Sequence, residues 1–428
     1  MAQALIKTAQ RIYCIGIKGV GMTALAEVLH GWGKRVTGSD TEERFQTDEV
    51  LRRSGILFVE GFAKENVPAD VDLVIYSTAY GEKNPEYAEA LRRGIPMLSY
   101  PEALGQLMEG KYGVAVSGSH GKTTTTALLG HVMTEAGLDP TVIVGSEVKN
   151  WGSNARVGKS EYVVIEADEY QNKFQHYNPR GLIITNIDWD HSDFFKTLEA
   201  YEKAFADFRE KVLGNSGWVV ETGKIDYSPS EVEGLPLSLS GEHNKKNTAL
   251  VYAVAQKLGI ADNVFWKAVQ SFKGTARRFE VKGETANGVL VVDDYAHHPT
   301  EIQATLKAAR ARYPKQKLWV VFHPHTFTRT KTFFDDFARS FSDADQVIIL
   351  DIYGSAREEH GGVHSKDLVA AINKGHPCKG TRVPLVDAIY IPTIPEAATY
   401  LRNHAEKDDI VITMGAGDVW KVGEDFLR

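Results

Sequence analysis

Residues 112 to 133 hold the densest chemistry in the chain. They read Tyr112-Gly113-Val114-Ala115-Val116, then Gly118-Ser119-His120-Gly121-Lys122-Thr123-Thr124, then a helical run from Thr125 to Met133. An apolar strand, a glycine loop, a lysine and hydroxyls at a helix start suit a nucleoside triphosphate. Backbone N–H groups at the helix N-terminus and the helix dipole hold phosphate oxygens. Lys122 can reach the β- and γ-phosphates, and the Thr123 hydroxyl can ligate Mg²⁺. Val116 stands where the G-x-x-x-x-G-K-[ST] pattern has its first glycine, so an ordinary strand–helix turn is the alternative.

Other polar clusters fall at strand ends. Glu166-Ala167-Asp168-Glu169 closes an apolar run, and Glu166, still on the strand, can complete a Mg²⁺ shell with Thr123. The next apolar run ends in Asn186-Ile187-Asp188-Trp189-Asp190-His191, which puts His191 at the sheet edge where open α/β sheets take ligands. Asn244 and Asn247 lie three apart on a predicted helix; the first suits a cap, the second is out of place in a helix interior. Arg277-Arg278 can steady a transferring phosphoryl group or be a solvated basic pair. Asp293-Asp294-Tyr295-Ala296-His297-His298 follows a strand; the adjacent histidines would point apart, so a loop contacting a nucleotide is preferred over a metal site. His323-Pro324-His325-Thr326-Phe327-Thr328-Arg329-Thr330 and Met414-Gly415-Ala416-Gly417-Asp418 also follow apolar runs. Near the N-terminus Gly19-Val20-Gly21-Met22-Thr23-Ala24 fits G-x-G-x-x-[GA], and Asp40 follows a second strand. That turn can hold NAD, the pyrophosphate of a nucleotide sugar, or nothing.

The elements that carry these residues alternate. Strands are predicted at Arg11–Ile17, Arg35–Gly38, Ile56–Val59 and Leu73–Ser77, with helices at Met22–Gly31, Glu49–Ser54, Asn84–Arg93 and Pro101–Met108. The middle stretch has strands near 142–144, 162–166 and 182–186, a Gly/Ser/Pro-rich region from Gly214 to Gly241, and a helix at Asn244–Leu258. A third unit starts near Phe279, with strands at 289–293, 318–322, 346–351 and 410–414 and helices at 300–312, 332–341 and 365–373. This rhythm implies parallel sheets with helices outside. At 428 residues the chain divides into domains at 1–108, 109–279 and 280–428. A net charge of −7 argues against nucleic acid as the main partner. Two cysteines, Cys14 and Cys378, exclude a disulfide framework and a Cys-rich zinc site; Cys14 reads as a packed core thiol. With no sustained apolar run in the first ten residues and no membrane-length one anywhere, a cytoplasmic enzyme is expected.

Taken together, Gly118 to Thr124, Glu166 to Glu169, Asn186 to His191, Gly241 to Asn247, Arg277-Arg278-Phe279 and Asp293 to Pro299 resemble the Mur ligase family, which builds the peptide stem of bacterial peptidoglycan. Gly16 to Met22, Thr37 to Asp40, His323 to Thr330, Asp351-Ile352-Tyr353 with Ala356-Arg357-Glu358, and Ile412 to Asp418 resemble its alanine-adding branch. The likeness runs along nearly the whole chain. It implies a Rossmann-like N-terminal domain, a central P-loop ATPase-type α/β domain and a C-terminal Rossmann-like α/β domain. The implied reaction joins L-alanine to the carboxylate of UDP-N-acetylmuramate with ATP and Mg²⁺, through an acyl phosphate, by a monomer or homodimer. By the same resemblance Gly118, Ser119, His120, Gly121, Lys122, Thr123, Thr124, Asn244, Asn247, Arg278 and Asp294 bind ATP. Thr123, Glu166 and His191 hold metal, and Lys122, His191 and Arg278 are catalytic. Gly19, Gly21, Met22, Ser39 and Asp40 take the UDP-sugar, and His325, Thr328 and Arg329 the amino acid. Lys18 stands where glycine is frequent, which bears on the pyrophosphate contact. Glu169 to Tyr177 departs from the usual Ser-Asp-x-Ser-Phe and also resembles the ligase that recycles a cell-wall tripeptide, so a tripeptide acceptor stays open. A nicotinamide dehydrogenase would explain Gly19 to Asp40 but not the Lys122 loop; an ATP-dependent switch would leave the other clusters unexplained.

Overall fold

A computed structural model describes residues 5–225, 232, 234–236, 239, 241–354, 358, 361–374, 377–378, 381–382 and 386–428. Three main sheets follow one another along the chain. The first contains β1 (Arg11–Ile15), β2 (Arg35–Asp40), β3 (Leu57–Glu60), β4 (Leu73–Tyr76) and β5 (Met97–Ser99) in the order β3-β2-β1-β4-β5, all parallel. The order reverses at β1, which is where a doubly wound sheet opens a crevice at its strand C-termini. Helix Val20–Gly31 leaves from that point.

The second sheet contains β6 (Tyr112–Ser117), β7 (Thr141–Val148), β8 (Ser153–Arg156), β9 (Tyr162–Glu166), β10 (Gly181–Ile184) and β11 (Trp218–Glu221). Its order is β11-β10-β6-β9-β7-β8, parallel except for the β7–β8 hairpin. Val114, Ala115 and Val116 on β6 are fully buried. Such an unbroken apolar run is what a strand covered on both faces demands.

The third sheet contains β12 (Glu280–Glu284), β13 (Leu290–Asp294), β14 (Leu318–Phe322) and β15 (Gln346–Ile349). After a short antiparallel pair, β16 (Pro377–Cys378) and β17 (Thr381–Arg382), it is completed by β18 (Asp387–Tyr390) and β19 (Ile410–Met414). The order is β12-β13-β19-β14-β15-β18, with only β12 antiparallel. Its side chains alternate between two cores: Val292, Val320, Phe322, Val347 and Ile412 on one face, Val291, Trp319, Val321, Ile348 and Val411 on the other.

The chain forms two compact units. One holds Met1–Asp188, Glu202–Pro236 and Lys246–Thr275; the other holds Trp189–Tyr201, Leu237–Lys245 and Ala276–Arg428. The first two sheets therefore share a unit, and within it Asn154 Nδ2 of β8 donates to Val20 O at 2.5 Å.

Two sequence expectations change. The helix foreseen at 332–341 starts earlier, as Phe327–Thr332 followed by Phe334–Arg339. Thr326 caps it by accepting from Arg329 N, so Thr328 and Arg329 sit on a helix rather than on a strand-end loop. A continuous helix, Leu198–Gly214, precedes the Gly/Ser/Pro-rich stretch, much of which lies outside the described residues, as do Ala356 and Arg357. Cys14 is fully buried, as expected, and burial pushes its thiol up to about 12. Among the described residues no helix is long and apolar enough to cross a membrane.

Candidate active site

The loop after β6 is held open by glycine. Gly118 has φ +132° and Gly121, which caps helix Lys122–Glu135, has φ +82°. A Cβ on Gly118 would lie 2.1 Å from Thr185 Oγ1, and one on Gly121 2.7 Å from Asn247 Oδ1. Both positions thus need glycine for conformation and for space. The second distance also brings Asn247, buried in its helix, beside the loop.

The strand end after β10 clamps the same loop. Asn186 accepts from His120 N at 3.0 Å and donates to His120 O at 2.9 Å; Asp188 N donates to Ser119 Oγ at 2.7 Å. His120 Nε2 lies 3.0 Å from Asp188 Oδ2. Thr123 Oγ1 donates to Glu166 Oε1 at 2.8 Å, while Gly145 N donates to Glu166 Oε2 at 2.6 Å. Two hard oxygens thus sit together at a helix N-terminus, the donor type Mg²⁺ selects. Thr124 is buried one position on.

Lys122 has a partner that sequence reasoning quoted but did not use. Its ammonium donates to Gly118 O at 2.5 Å, to Ser119 O at 3.1 Å and to the two oxygens of Glu169 at 3.1 and 2.9 Å. Burial pulls this lysine's pKa down, but Glu169, Asp168 and Glu166 together raise it above the ordinary value. It is a cation at neutral pH. Glu169 lies three residues past Glu166, at the start of the turn Tyr170–His176, where Gln171 and Asn172 are both left-handed at φ +57°. The acid-rich strand end was the available signal.

In the first sheet, Gly16 has φ +83° and helix Val20–Gly31 starts after Gly19. A Cβ on Gly21 would sit 2.4 Å from the Tyr100 hydroxyl. Asp40 is committed to the protein: it accepts from Lys18 N at 2.7 Å, Thr41 N at 2.8 Å and the Tyr80 hydroxyl at 3.2 Å. Ser39 is fully buried and its hydroxyl donates to Glu86, and the Met22 side chain is core. The Ser39 and Met22 side chains are thus buried in the protein. The Lys18 ammonium is buried beneath the segment after Asp40.

His191 belongs to the other unit from Thr123 and Glu166. It is left-handed, φ +54°, and its N–H donates to Asp190 Oδ1 at 2.6 Å. Asp190 takes the Nε–Nη2 edge of Arg329, one of the residues expected to receive the amino acid: Nε donates at 3.1 Å and Nη2 at 3.0 and 3.2 Å. Burial would raise the Asp190 carboxyl, but Arg329, then His191, His297 and His298, hold it well below the usual range. His325 Nδ1 lies 3.3 Å from Arg329 Nη1, and the ring stacks on Tyr353 at 5.7 Å. Burial, with His297, Arg329 and His323 nearby, lowers the His325 pKa to about 3. Its imidazole is neutral at pH 7. Thr328 N donates to Glu358 Oε2 at 2.9 Å. Thr326 is a β-branched residue at φ +69°, a strained backbone beside this cluster.

Asp294 does not present a free carboxylate. Its oxygens accept from Phe279 N at 2.7 Å and Ala296 N at 2.8 Å, and burial raises its pKa to about 6. Arg278 lies 5.2 Å above the Tyr295 ring, with Glu301 at 3.9 Å. Asn244 N donates to Gly241 O at 3.1 Å in the helix's first turn.

Three family models match in order: "Mur ligase family, catalytic domain" at residues 11–112, "Mur ligase middle domain" at 116–224 and "Mur ligase, glutamate ligase domain" at 277–417. The UDP-N-acetylmuramate–L-alanine ligase of Desulfitobacterium hafniense is 38% identical over 97% of this chain and 99% of its own. The chain belongs to the Mur ligase family. A ligase of the same description from Anaeromyxobacter sp. is 39% identical, covering 97% of each chain. Among solved structures, the UDP-N-acetylmuramate-alanine ligase of Thermotoga maritima matches with a TM-score of 0.79 and 27% identity over 97% of this chain and 98% of its own. A murein peptide ligase from Psychrobacter arcticus, TM-score 0.68 and 23% identical over 98% of each chain, shares the fold. The Mur ligase architecture of N-terminal, middle and C-terminal domains thus accounts for all three sheets.

Proposed function

We propose that this chain joins L-alanine to the carboxylate of UDP-N-acetylmuramate, with cleavage of ATP to ADP and phosphate, in peptidoglycan precursor synthesis. The observation that carries the reading is identity of 36–39% along the full chain to ligases of that description. The ligase that adds L-alanyl-γ-D-glutamyl-meso-diaminopimelate, which would favour a tripeptide acceptor, is matched at 26% identity over 63% of this chain, well below the alanine ligases in both measures. Residues 1–108 are assigned to the UDP-sugar, 109–279 to ATP and 280–428 to ligation, in a cytoplasmic monomer or homodimer acting on small molecules.

A carboxylate acylates poorly because oxide would have to leave. Attack of a carboxylate oxygen on the γ-phosphorus breaks the bond to the β-phosphate and gives an acyl phosphate plus ADP. The amine then attacks the acyl carbon and phosphate departs. The demands on the protein are in-line placement and cancellation of charge. The Gly118–Thr124 backbone cradles the phosphates, and Lys122 counters charge on the β- and γ-groups, exchanging Glu169 for them. Thr123 and Glu166 are the residues that would hold Mg²⁺, which supplies charge neutralisation when bound. Asn247 lies beside the loop for the nucleotide; by the family resemblance His191 is assigned to the metal, and Asn244, Arg278 and Asp294 to ATP. Gly19, whose N–H donates to Gly16 O at 3.3 Å, closes the turn, and Gly21 in the first turn of the helix brings the backbone to the UDP-sugar.

His325, Thr328 and Arg329 receive the amino acid. With Asp190 on its bidentate edge, Arg329 acts as a fixed cation rather than a carboxylate fork. His325 is too weak a base to take the ammonium proton, so it orients the substrate as a neutral partner. The deciding assay is phosphate release with UDP-N-acetylmuramate against a panel of amino acids and L-alanyl-γ-D-glutamyl-meso-diaminopimelate. L-Alanine should dominate. Predominant tripeptide addition overturns the acceptor, and NAD reduction without ATP cleavage overturns the reaction class.

A further inference from the structure

Lys18 lies inside the glycine turn, yet its side chain is fully buried. Its ammonium donates to Thr41 O and Glu43 O at 3.0 Å each and to Glu60 Oε1 at 2.8 Å, with Asp48 Oδ2 at 3.6 Å. The backbone of the same residue adds two ties: Lys18 N donates to Asp40 Oδ2 at 2.7 Å, and Lys18 O accepts from the Thr47 hydroxyl. All the bonds of this residue named here therefore go to Asp40–Asp48 or to Glu60.

The segment's other described ties are local: Phe45 N donates to Asp48 Oδ1 at 3.4 Å and Asp48 N to Phe45 O at 3.2 Å. Residues 42–46, Glu-Glu-Arg-Phe-Gln, are all exposed, and an exposed loop samples many conformations unless something ties it down. Hydrogen bonds from a charged donor are the strong kind, and a buried ammonium persists only where its donors are met. The segment cannot lift away without stranding that charge. Holding a binding loop in one form beforehand removes an ordering cost from ligand binding.

We propose that Lys18 is a positioning residue for the sugar nucleotide, stapling the segment Thr41–Thr47 against the glycine turn so that one wall of the site is set before substrate arrives. This rests on the reading that the UDP end binds at Gly19–Asp40. It gives the expectation that Lys18 bears on the pyrophosphate contact a route, through the turn and the segment its ammonium holds.

Arg44 at the segment's tip is exposed and gives a direct probe. Trypsin cleavage after Arg44, followed by mass, reports how often the segment opens. Lys18→Met should speed that cut about tenfold, as loss of charged hydrogen bonds implies. The KM for UDP-N-acetylmuramate should rise by about the same factor, with the KM for ATP unmoved and the loss in KM rather than kcat. Glu60→Ala, on a side chain 45% exposed, removes one partner without emptying the interior and should act in the same direction, more weakly. An unchanged cut at Arg44 in both variants overturns the staple. A faster cut with an unchanged KM for the sugar nucleotide overturns its role in binding. If UDP-N-acetylmuramate does not slow the cut even in the unaltered protein, the nucleotide-sugar assignment itself has failed.

Discussion

Glu169→Gln separates the two states that Lys122 must visit. An ammonium has three N–H groups, and in this structure they serve two carbonyls and both oxygens of Glu169. The pair is buried, with side-chain exposures of 15% and 1%. To reach a γ-phosphate, Lys122 must give up Glu169. Removing a partner outright from a buried ion pair costs about 3–5 kcal/mol. Glutamine keeps an acceptor, and Asp168 and Glu166 still favour the cation, so the loss should be nearer 2 kcal/mol, the worth of one charged hydrogen bond. That loss falls on the ATP-free protein, because with ATP bound the lysine has changed partners. By linkage the variant should melt lower without ATP, gain more from ATP, and bind ATP about thirtyfold tighter. Calorimetric titration and melting curves with and without ATP measure both sides. A folded Glu169→Gln protein that binds ATP no tighter, or more weakly, would refute the exchange: Lys122 would then keep Glu169 throughout.

Lys122→Ala should cut ligation by about 10²–10³ with the fold retained, the usual loss for one charge-stabilising contact; near-normal turnover would remove Lys122 from the phosphate site. His325 falls to a pKa of about 3 from 6.5, so the folded state binds fewer protons than the unfolded chain between those values. Stability of its unit should drop as pH falls from 6.5 toward 3, and His325→Gln should flatten that slope in urea titrations. Asp294 has the opposite sign: with its pKa raised from 3.8 to about 6, stability should fall as pH rises through that window, and Asp294→Asn should abolish the effect. Arg277 donates from Nε to Asp293 at 2.9 Å and to Gly415 O and Gly417 O at 2.7 and 3.0 Å. A Cβ on Gly417 would lie 3.3 Å from Tyr353, the ring on which His325 stacks. Arg277→Met should therefore raise the KM for L-alanine about tenfold, since methionine has no N–H with which to replace the fork; an unchanged KM would disconnect that turn from the amino-acid pocket.

What the sequence disclosed follows from the range of the forces involved. The strands were readable because a sheet covered on both faces needs continuous apolar runs, as on β6 and β14. Phosphate-loop glycines were readable because one reason for them is local, the positive φ at Gly118 and Gly121; the crowding by Thr185 and Asn247 that also forbids a Cβ was not. Helix Phe327–Thr332 was not, because its start depends on Thr326 adopting φ +69° and capping Arg329 N, a conformation a β-branched residue disfavours unaided.

Side-chain partnership was the least legible level. Arg329 and Asp190 stand 139 positions apart, and Lys122 and Glu169 stand 47 apart. Both acids had been quoted in strand-end motifs, but a motif names residue types at an edge and cannot say which opposite charge the fold delivers there. The same gap explains Asp294 and Asp40, each read as a nucleotide contact and each found accepting backbone N–H groups. A carboxylate so held is a rigid wall before it is a ligand. If Asp40 meets a ribose, it does so with Lys18 N and Thr41 N already bound, which ties the sugar-nucleotide site to the segment that Lys18 fixes. The geometry around these strand ends is then fixed by buried charges, such as Lys122 and Arg329, whose partners lie far away in sequence.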